Sequence, residues 1–181
     1  MDEKRIKIAE GNLRNYLRDG LIKKVNFEDI VYQTYLKNST ESLNVANEVF
    51  KNKTSSLWVV VSSYYSMFYI ASAYLYKKGY KAGYEIVHQV INEALIILSK
   101  NDLEKHFLEE YEEEKEKALA ASESLLKSYE FEKLKRARFQ YETTEAIKET
   151  KAKTSLDRAK NFAAIMRQLI TNSKKGKVLN N

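Results

Sequence analysis

Apolar residues recur every three or four positions along most of this chain, which is the spacing of one face of an α-helix. The first such segment covers about residues 4–19, where Ile6 and Leu13 lie among Lys, Arg and Glu, and Gly20 ends it. A second apolar stripe follows a polar start near residues 26–28. The pattern predicts an extra N-terminal amphipathic helix followed by a longer one.

Residues 57–76 carry no charged side chain, a run of twenty positions. That length is sufficient to cross a bilayer, so a transmembrane helix is one interpretation. The run contains four serines and five tyrosines, however, and the amphipathic segments that follow it need an apolar partner. We therefore expect the central helix of a bundle, with Met67, Phe68, Ala71 and Leu75 packed inward and no association with a membrane.

Three further helices are predicted downstream, at residues 84–98, 103–134 and 144–170, each with an apolar stripe. In the first of them Ile86 is expected to face inward. The second contains a dense run of acids at residues 109–116, which is more typical of a solvated helix surface than of a metal cluster. The basic tail at 173–181 is expected to be frayed.

Glycine and proline, which most often interrupt helices, are scarce: the chain has five glycines and no proline. Short turns join the predicted helices, and short connections place sequential helices side by side in opposite directions. We therefore expect an all-α protein, an antiparallel helical bundle of five to six helices. Its 181 residues, 44% of them hydrophobic, suit a single domain over residues 1–181.

The composition excludes several kinds of chemistry. The chain has no cysteine, which rules out disulfides and thiolate metal sites, and only two histidines, His88 and His106. We expect no metal and no cofactor. The first twenty residues are charged throughout and contain no apolar core of signal-peptide length, which predicts a cytoplasmic location. A net charge of +6 favours phosphate-bearing partners without identifying one.

The chemically versatile side chains also have an ordinary structural interpretation. His88 is expected to be a hydrogen-bonded structural histidine on an apolar helix, and His106 an exposed one. The tyrosines between 64 and 76 are more typical of core and interface positions than of ligand stacking. The basic residues around Arg136 can equally form the end of a helix, where positive charge favours the C-terminal dipole.

Three sequence elements, in order along the chain, resemble the HEPN family of nucleotide- and RNA-handling helical bundles, in its stand-alone bacterial and archaeal branch. The first is the run Ser63-Tyr64-Tyr65-Ser66-Met67-Phe68, which is similar to a small-Tyr-Tyr-small-Met-Phe element. The second is the block that contains Gly79, Lys81 and His88. The third runs from Arg136 to Tyr141, where the family has an arginine, a short spacer and a histidine or tyrosine. The resemblance covers about residues 26–170.

The resemblance implies a site for a nucleotide or RNA around the third element. Cations there would contact phosphate, and aromatic side chains would stack on a base. The residues concerned are Lys133, Lys135, Arg136, Arg138, Phe139 and Tyr141.

RNA-cleaving members of the family join an arginine and a histidine from two subunits in metal-independent attack of a ribose 2′-hydroxyl on phosphate. Arg136 suits the first task, since a guanidinium neutralises charge on phosphate. Tyr141 stands where the histidine is expected, and with a reference pKa of about 10 it is a poor general base. We therefore expect binding without ribonuclease activity, with a metal-independent endoribonuclease that uses Arg136 and Tyr141 as the alternative.

The resemblance also implies partners. Family members are often homodimers and often pair with a small nucleotidyltransferase in toxin–antitoxin modules, where a tyrosine near the motif is adenylylated. Tyr141 is the candidate acceptor here. A structural dimerisation module is a further alternative, because the tyrosine-rich run suits a half-buried interface. The sequence contains no Gly-rich phosphate loop, no His-Glu-x-x-His helix and no serine nucleophile elbow.

Overall fold

The computed structural model describes residues 1–134 and 149–172, without the side chains of 124–134. These parts of the chain contain six helices and two short strands. In chain order they are α1 (Glu3–Arg18), β1 (Ile22–Lys24), α2 (Asp29–Lys51), α3 (Ser56–Lys77), β2 (Tyr80–Ala82), α4 (Val87–Leu98), α5 (Lys105–Leu134) and α6 (Glu149–Asn172). The predicted all-α class is confirmed, and α1 lies where the N-terminal helix is expected. The predicted frayed tail lies outside the described residues.

The central helix of the bundle is α3. Its N-cap is Ser55, whose hydroxyl accepts a hydrogen bond from the Trp58 amide at 3.3 Å. Beyond its C-terminal end, Gly79 has a φ of 88°, which lets the chain turn away sharply. Helices α2, α4, α5 and α6 all pack against α3. A helix surrounded in this way has almost no solvated face, which explains why residues 57–76 carry no charge.

The core positions predicted on α3 are confirmed. Met67, Phe68, Ala71 and Leu75 are all buried in the main hydrophobic cluster. No helix in the described parts of the chain combines the length and the apolar character needed to cross a membrane. The hydrophobic character of α3 is therefore accounted for by its packing within the bundle.

A two-stranded antiparallel sheet, which the sequence did not predict, joins the start of the chain to its middle. β1 pairs with β2 in the register Ile22 with Ala82, Lys23 with Lys81 and Lys24 with Tyr80. Backbone hydrogen bonds extend the pairing on both sides, from the Gly83 amide to the Leu21 carbonyl at 2.8 Å and from the Val25 amide to the Gly79 carbonyl at 2.9 Å. Ile22 is fully buried beneath the sheet.

Helix α4 is shorter than the helix predicted at residues 84–98. It begins at Val87, because β2 and the connection that follows it occupy the preceding residues. Ile86 does not face inward as predicted: it is 54% exposed and has a φ of 39°, in the left-handed region. A β-branched residue is strained there, and the hydrogen bonds that its carbonyl accepts from Gln89 and Val90 support this conformation.

The acidic run on α5 is only partly the solvated surface that its composition predicts. Glu114 is 0% exposed, and one carboxylate oxygen accepts hydrogen bonds from Lys117 Nζ and Arg158 Nη1, both at 2.9 Å. The same Arg158 nitrogen, on α6, donates to Glu113 at 2.6 Å. The prediction was wrong for Glu114 because helical periodicity does not reveal that an arginine from a distant helix neutralises the buried charge.

Arg5 connects α1 to α4 and α5 in a similar way. Its guanidinium donates to both carboxylate oxygens of Glu93, at 2.7 and 2.8 Å, and to Glu112 at 2.7 Å. Glu93 is buried, so its charge requires this bidentate partner. Asn92 also donates to Glu112, at 3.1 Å. Within residues 1–134 and 149–172, no group of three His, Asp or Glu side chains is arranged to hold a metal ion.

Candidate functional site

The site predicted around Arg136 lies outside the described residues. Lys133 is in the last turn of α5, but its side chain is among those not described. The remaining predicted residues fall within 135–148, and they are Lys135, Arg136, Arg138, Phe139 and Tyr141. The described residues contain a different candidate site, where α2, α3 and the connection from β2 to α4 meet.

Three ring side chains form an aromatic row at the surface of the bundle, Tyr69, Tyr65 and His88, and two further tyrosines lie on the neighbouring α2 and on the connection from β2 to α4, Tyr35 and Tyr84. Tyr65 and Tyr69 are one turn apart on α3 with ring centroids separated by 6.0 Å, and Tyr65 lies 5.8 Å from His88. Burial and then the neighbouring phenols of Tyr76, Tyr84 and Tyr69 raise the pKa of Tyr35, whose ring centroid lies 6.0 Å from that of Tyr76. Tyr84 is 100% exposed and the other four are partly exposed.

The basic sheet, formed by β1 and β2, lies next to Tyr84, which follows the end of β2 by two residues. Lys23 and Lys81 occupy directly opposite positions on β1 and β2, so their side chains project from the same face. Both are exposed, and neither forms an ion pair with a described residue. Like charges at opposite positions of a sheet destabilise it. An anion bound between the two ammonium groups would therefore relieve a repulsion that the folded chain contains.

His88 lies at one end of the aromatic row, in the first turn of α4. The distance from its Nδ1 to the Tyr64 hydroxyl is 2.9 Å, and its ring centroid is 4.8 Å from that of Phe68 and 5.5 Å from that of Tyr64. Burial, followed by the positive charge of Lys115, holds the pKa of His88 below its ordinary value. His88 is thus the hydrogen-bonded histidine that was expected, and it is neutral at pH 7.

Lys115 is the cation whose charge helps to lower the pKa of His88. It lies on α5, is partly buried, and forms no ion pair with a described side chain. Lys115 also affects Glu112. Burial raises the pKa of Glu112, but Arg5, then Asn92 and then the charge of Lys115 lower it, and the net shift is downward. The carboxylate of Glu112 is already hydrogen-bonded to Arg5 and Asn92.

The second histidine has no comparable environment. His106 is 53% exposed, and its Nδ1 lies 3.4 Å from a carboxylate oxygen of Glu104. It packs on the adjacent ring of Phe107. This agrees with the exposed position predicted for it, and we assign it no part in the site.

The residue types of the aromatic row, of Tyr84 and of three lysines suit a particular class of ligand. Exposed aromatic rings accept the flat face of a nucleobase, and lysines at intervals along them contact the intervening phosphates. The three lysines are Lys23 and Lys81 on the sheet and Lys115 on α5. A short single strand or a nucleotide has both the rings and the charges that such a surface would bind.

The sequence indicated only part of this site. His88, Lys81 and the tyrosines of α3 were singled out, whereas Lys23, Lys115, Tyr35 and Tyr84 were not. A weak signal was present for the sheet, since Gly20 precedes one short strand and Gly79 and Gly83 bracket the other. No local pattern could pair two strands so far apart in the sequence, or bring α5 to His88.

No family model matches the chain, and comparisons with curated proteins and with solved structures also found no match. The resemblance to the HEPN family therefore stays a prediction that rests on three sequence elements. A function has to be argued from the residues of the site.

Proposed function

We propose that this protein binds RNA or a nucleotide, with bases stacked on the aromatic row and phosphates held by lysines of the sheet. The observation that carries the proposal is the partly exposed row of Tyr69, Tyr65 and His88, together with the fully exposed Tyr84 and the opposed sheet lysines, which form no ion pair with a described residue. Base stacking on such rings contributes about 1–3 kcal/mol per base. Phosphate contacts would add affinity that weakens as salt rises.

The basic segment from Lys133 to Tyr141 would add a second set of contacts to the same ligand. Its arginines suit phosphate, and Phe139 and Tyr141 suit a base. The HEPN resemblance supports this proposal, and with it a homodimer and a toxin–antitoxin-type module in which a nucleotidyltransferase modifies Tyr141. There are two alternative functions: metal-independent ribonuclease activity, and a purely structural role as a dimerisation module.

Fluorescence anisotropy with a labelled, unstructured single-stranded RNA tests the proposal. Tyr84→Ala should weaken binding because it removes the most exposed ring, and the double variant Lys23→Gln/Lys81→Gln should weaken it and reduce the salt dependence. The matched control is Lys153→Gln/Lys160→Gln, which removes the same charge from exposed positions on α6.

Equal weakening in both double variants would mean that binding depends only on overall charge, and the row would then have no specific role. Absence of binding at low salt would contradict the proposal and favour the dimerisation module. If Tyr84→Ala still binds RNA but charge neutralisation at Arg136 abolishes binding, the binding site lies in the segment around Tyr141 instead.

A further inference from the structure

The central helix α3 has one strip that reaches solvent. Within residues 59–76 every residue is buried except Tyr65 and Tyr69, which are partly exposed. Trp58, in the first turn of the same helix, is 50% exposed. The steps from position 58 to 65 and from 65 to 69 are whole numbers of helical turns, so the three rings share one face of α3. These three residues form the open strip of α3.

The open strip exists because two neighbouring helices leave a gap above it. Around α3, helix α2 packs against α6, α6 against α5 and α5 against α4. Helices α2 and α4 both pack against α3 but scarcely touch each other. Tyr65 lies at the α4 side of the gap, with its ring centroid 5.8 Å from that of His88. Among the described helices, the layer around α3 is therefore open between α2 and α4.

The rings of the open strip are packed firmly but have unused polar groups. Tyr65 makes edge contacts with Phe68 and His88, at centroid distances of 6.2 and 5.8 Å and interplanar angles of 78° and 80°. Its centroid is 6.0 Å from that of Tyr69, and neither phenol oxygen forms a hydrogen bond with a described residue. A ring already held in place loses little conformational freedom on binding, and a free hydroxyl can pair with the edge of a base.

The length and position of the open strip restrict the kind of ligand. An α-helix rises 1.5 Å per residue, so the distance along α3 from position 58 to position 69 is about 16 Å. Successive phosphates of a strand are about 3.4 Å apart along a helix axis, so a single nucleotide would cover only a small part of the strip. Bases inside a duplex are stacked on their neighbours, whereas the bases of an unpaired strand are free to stack on aromatic side chains.

We propose that the ligand is an unpaired RNA strand of several nucleotides that lies along the gap between α2 and α4, and that Trp58 stacks on one of its bases. Trp58 is then a binding residue in addition to the row of Tyr69, Tyr65 and His88. It contacts the strand at the N-terminal end of α3, away from β2, which follows the C-terminal end. This inference rests on the proposed function, which by itself does not distinguish a strand from a duplex or a mononucleotide.

Intrinsic fluorescence tests the inference, because Trp58 is the one tryptophan of the chain. Titration of the full chain with a short unstructured RNA should quench its emission, with the same midpoint as the anisotropy of the labelled strand. The same strand annealed to its complement should bind about 5-fold more weakly or worse, although it carries more charge, and so should a nucleoside monophosphate. Equal affinity for the duplex and the free strand would overturn the inference.

Variants of the open strip provide an independent test. Trp58→Ala should weaken binding of the free strand about 5-fold or more, the low end for the loss of one stacked base, and Trp58→Phe should restore most of it. The salt dependence should stay unchanged, because no cation is removed. Ile8→Ala is the matched control, since Ile8 is 49% exposed and lies on α1. Thermal melting checks that each variant is folded.

Tyr65→Leu extends the test to the middle of the open strip. It keeps an apolar side chain against Phe68 but removes the ring, so it should also weaken binding of the free strand, with its fold checked in the same way. Unchanged affinity in both Trp58→Ala and Tyr65→Leu would contradict the proposed path of the strand.

A second copy of the chain is the competing occupant of the gap. In that case the emission of Trp58 would shift as the protein concentration rises without RNA, and Trp58→Ala would reduce the mass measured by light scattering. Either result would overturn the inference. We expect emission that does not depend on protein concentration.

Failure of this inference and failure of the proposed function are distinguishable. If RNA binds in a Tyr84-dependent manner but leaves the emission of Trp58 unchanged, and Trp58→Ala binds as tightly as wild type, the inference is wrong and the proposed function stands. If neither RNA nor a nucleotide binds at low salt, the proposed function fails and the inference fails with it.

Discussion

Tyr64 and His88 are 24 residues apart in the sequence, yet the Tyr64 hydroxyl lies 2.9 Å from His88 Nδ1. This hydrogen bond joins the central helix α3 to the first turn of α4. It holds one face of the imidazole in the core while the ring remains partly exposed at the surface. The pair therefore belongs both to the packing of the bundle and to the candidate site.

Because the pKa of His88 is lowered in the folded chain, stability should depend on pH in a defined direction. Between the folded pKa and the unfolded value of about 6.5, the unfolded chain binds more protons, so the free energy of unfolding falls as pH falls through that window. Above about pH 6.5 this contribution is fully present. Urea unfolding from pH 7.5 to 5 measures it, and His88→Gln should remove that part of the slope while His106→Gln should retain it.

Phe68 packs among His88, Tyr64, Tyr65 and Tyr69 at the centre of the bundle. We expect Phe68→Ala to lower the free energy of unfolding by about 3–5 kcal/mol, because it removes a buried ring and leaves a cavity. Chemical denaturation measures the change. Phe27→Ala is the comparison, since Phe27 is 53% exposed and should cost far less. An unchanged midpoint in Phe68→Ala would mean that α3 is not the centre of the core.

Removing the Arg5 side chain should leave the buried carboxylate of Glu93 without its partner. We expect Arg5→Met to lower the free energy of unfolding by about 3 kcal/mol, the low end for a broken buried pair because Arg5 is partly exposed. Arg5→Met/Glu93→Gln should recover much of that loss, since the buried Glu93 position is then uncharged and the remaining carboxylate, Glu112, is partly exposed and keeps its hydrogen bond from Asn92. Thermal and urea melts of both variants provide the measurement. A double variant that is less stable than Arg5→Met would contradict this explanation.

The protein alone should not cleave RNA appreciably. Tyr141 stands at the position where a histidine is expected, and loss of general acid–base catalysis costs about 10²–10⁴ in rate. Incubation of purified protein with a generic RNA and a chelator measures this. Robust cleavage that disappears in both Arg136→Ala and Tyr141→Phe would establish the ribonuclease alternative. Cleavage that survives both changes would indicate a contaminating nuclease.

We also expect a homodimer. Light scattering at micromolar concentration should give about twice the monomer mass of 21.1 kDa. Ile30 and Val45 remain exposed in the single chain, and an interface would cover apolar surface of this kind. A mass that stays at the monomer value as the concentration rises would contradict the prediction.

The sequence by itself determined the helical class and the position of most helices. Helical periodicity and helix ends are local properties, which is why α1, α3 and the core residues Met67, Phe68, Ala71 and Leu75 were predicted correctly. The uncharged run of α3 identified the central helix because a helix packed on nearly all sides has little surface to solvate.

Only the tertiary structure decided the relationships that form the candidate site. The pairing of Lys23 with Lys81 and the hydrogen bond between Tyr64 and His88 join residues far apart in the chain. The burial of Glu114 against Arg158 has the same character, since α5 and α6 meet only in the folded bundle. A residue's local pattern reports which face of its own element it occupies. Which residue of another element becomes its partner depends on how the helices pack. That partner in turn decides the residue's charge state and chemistry.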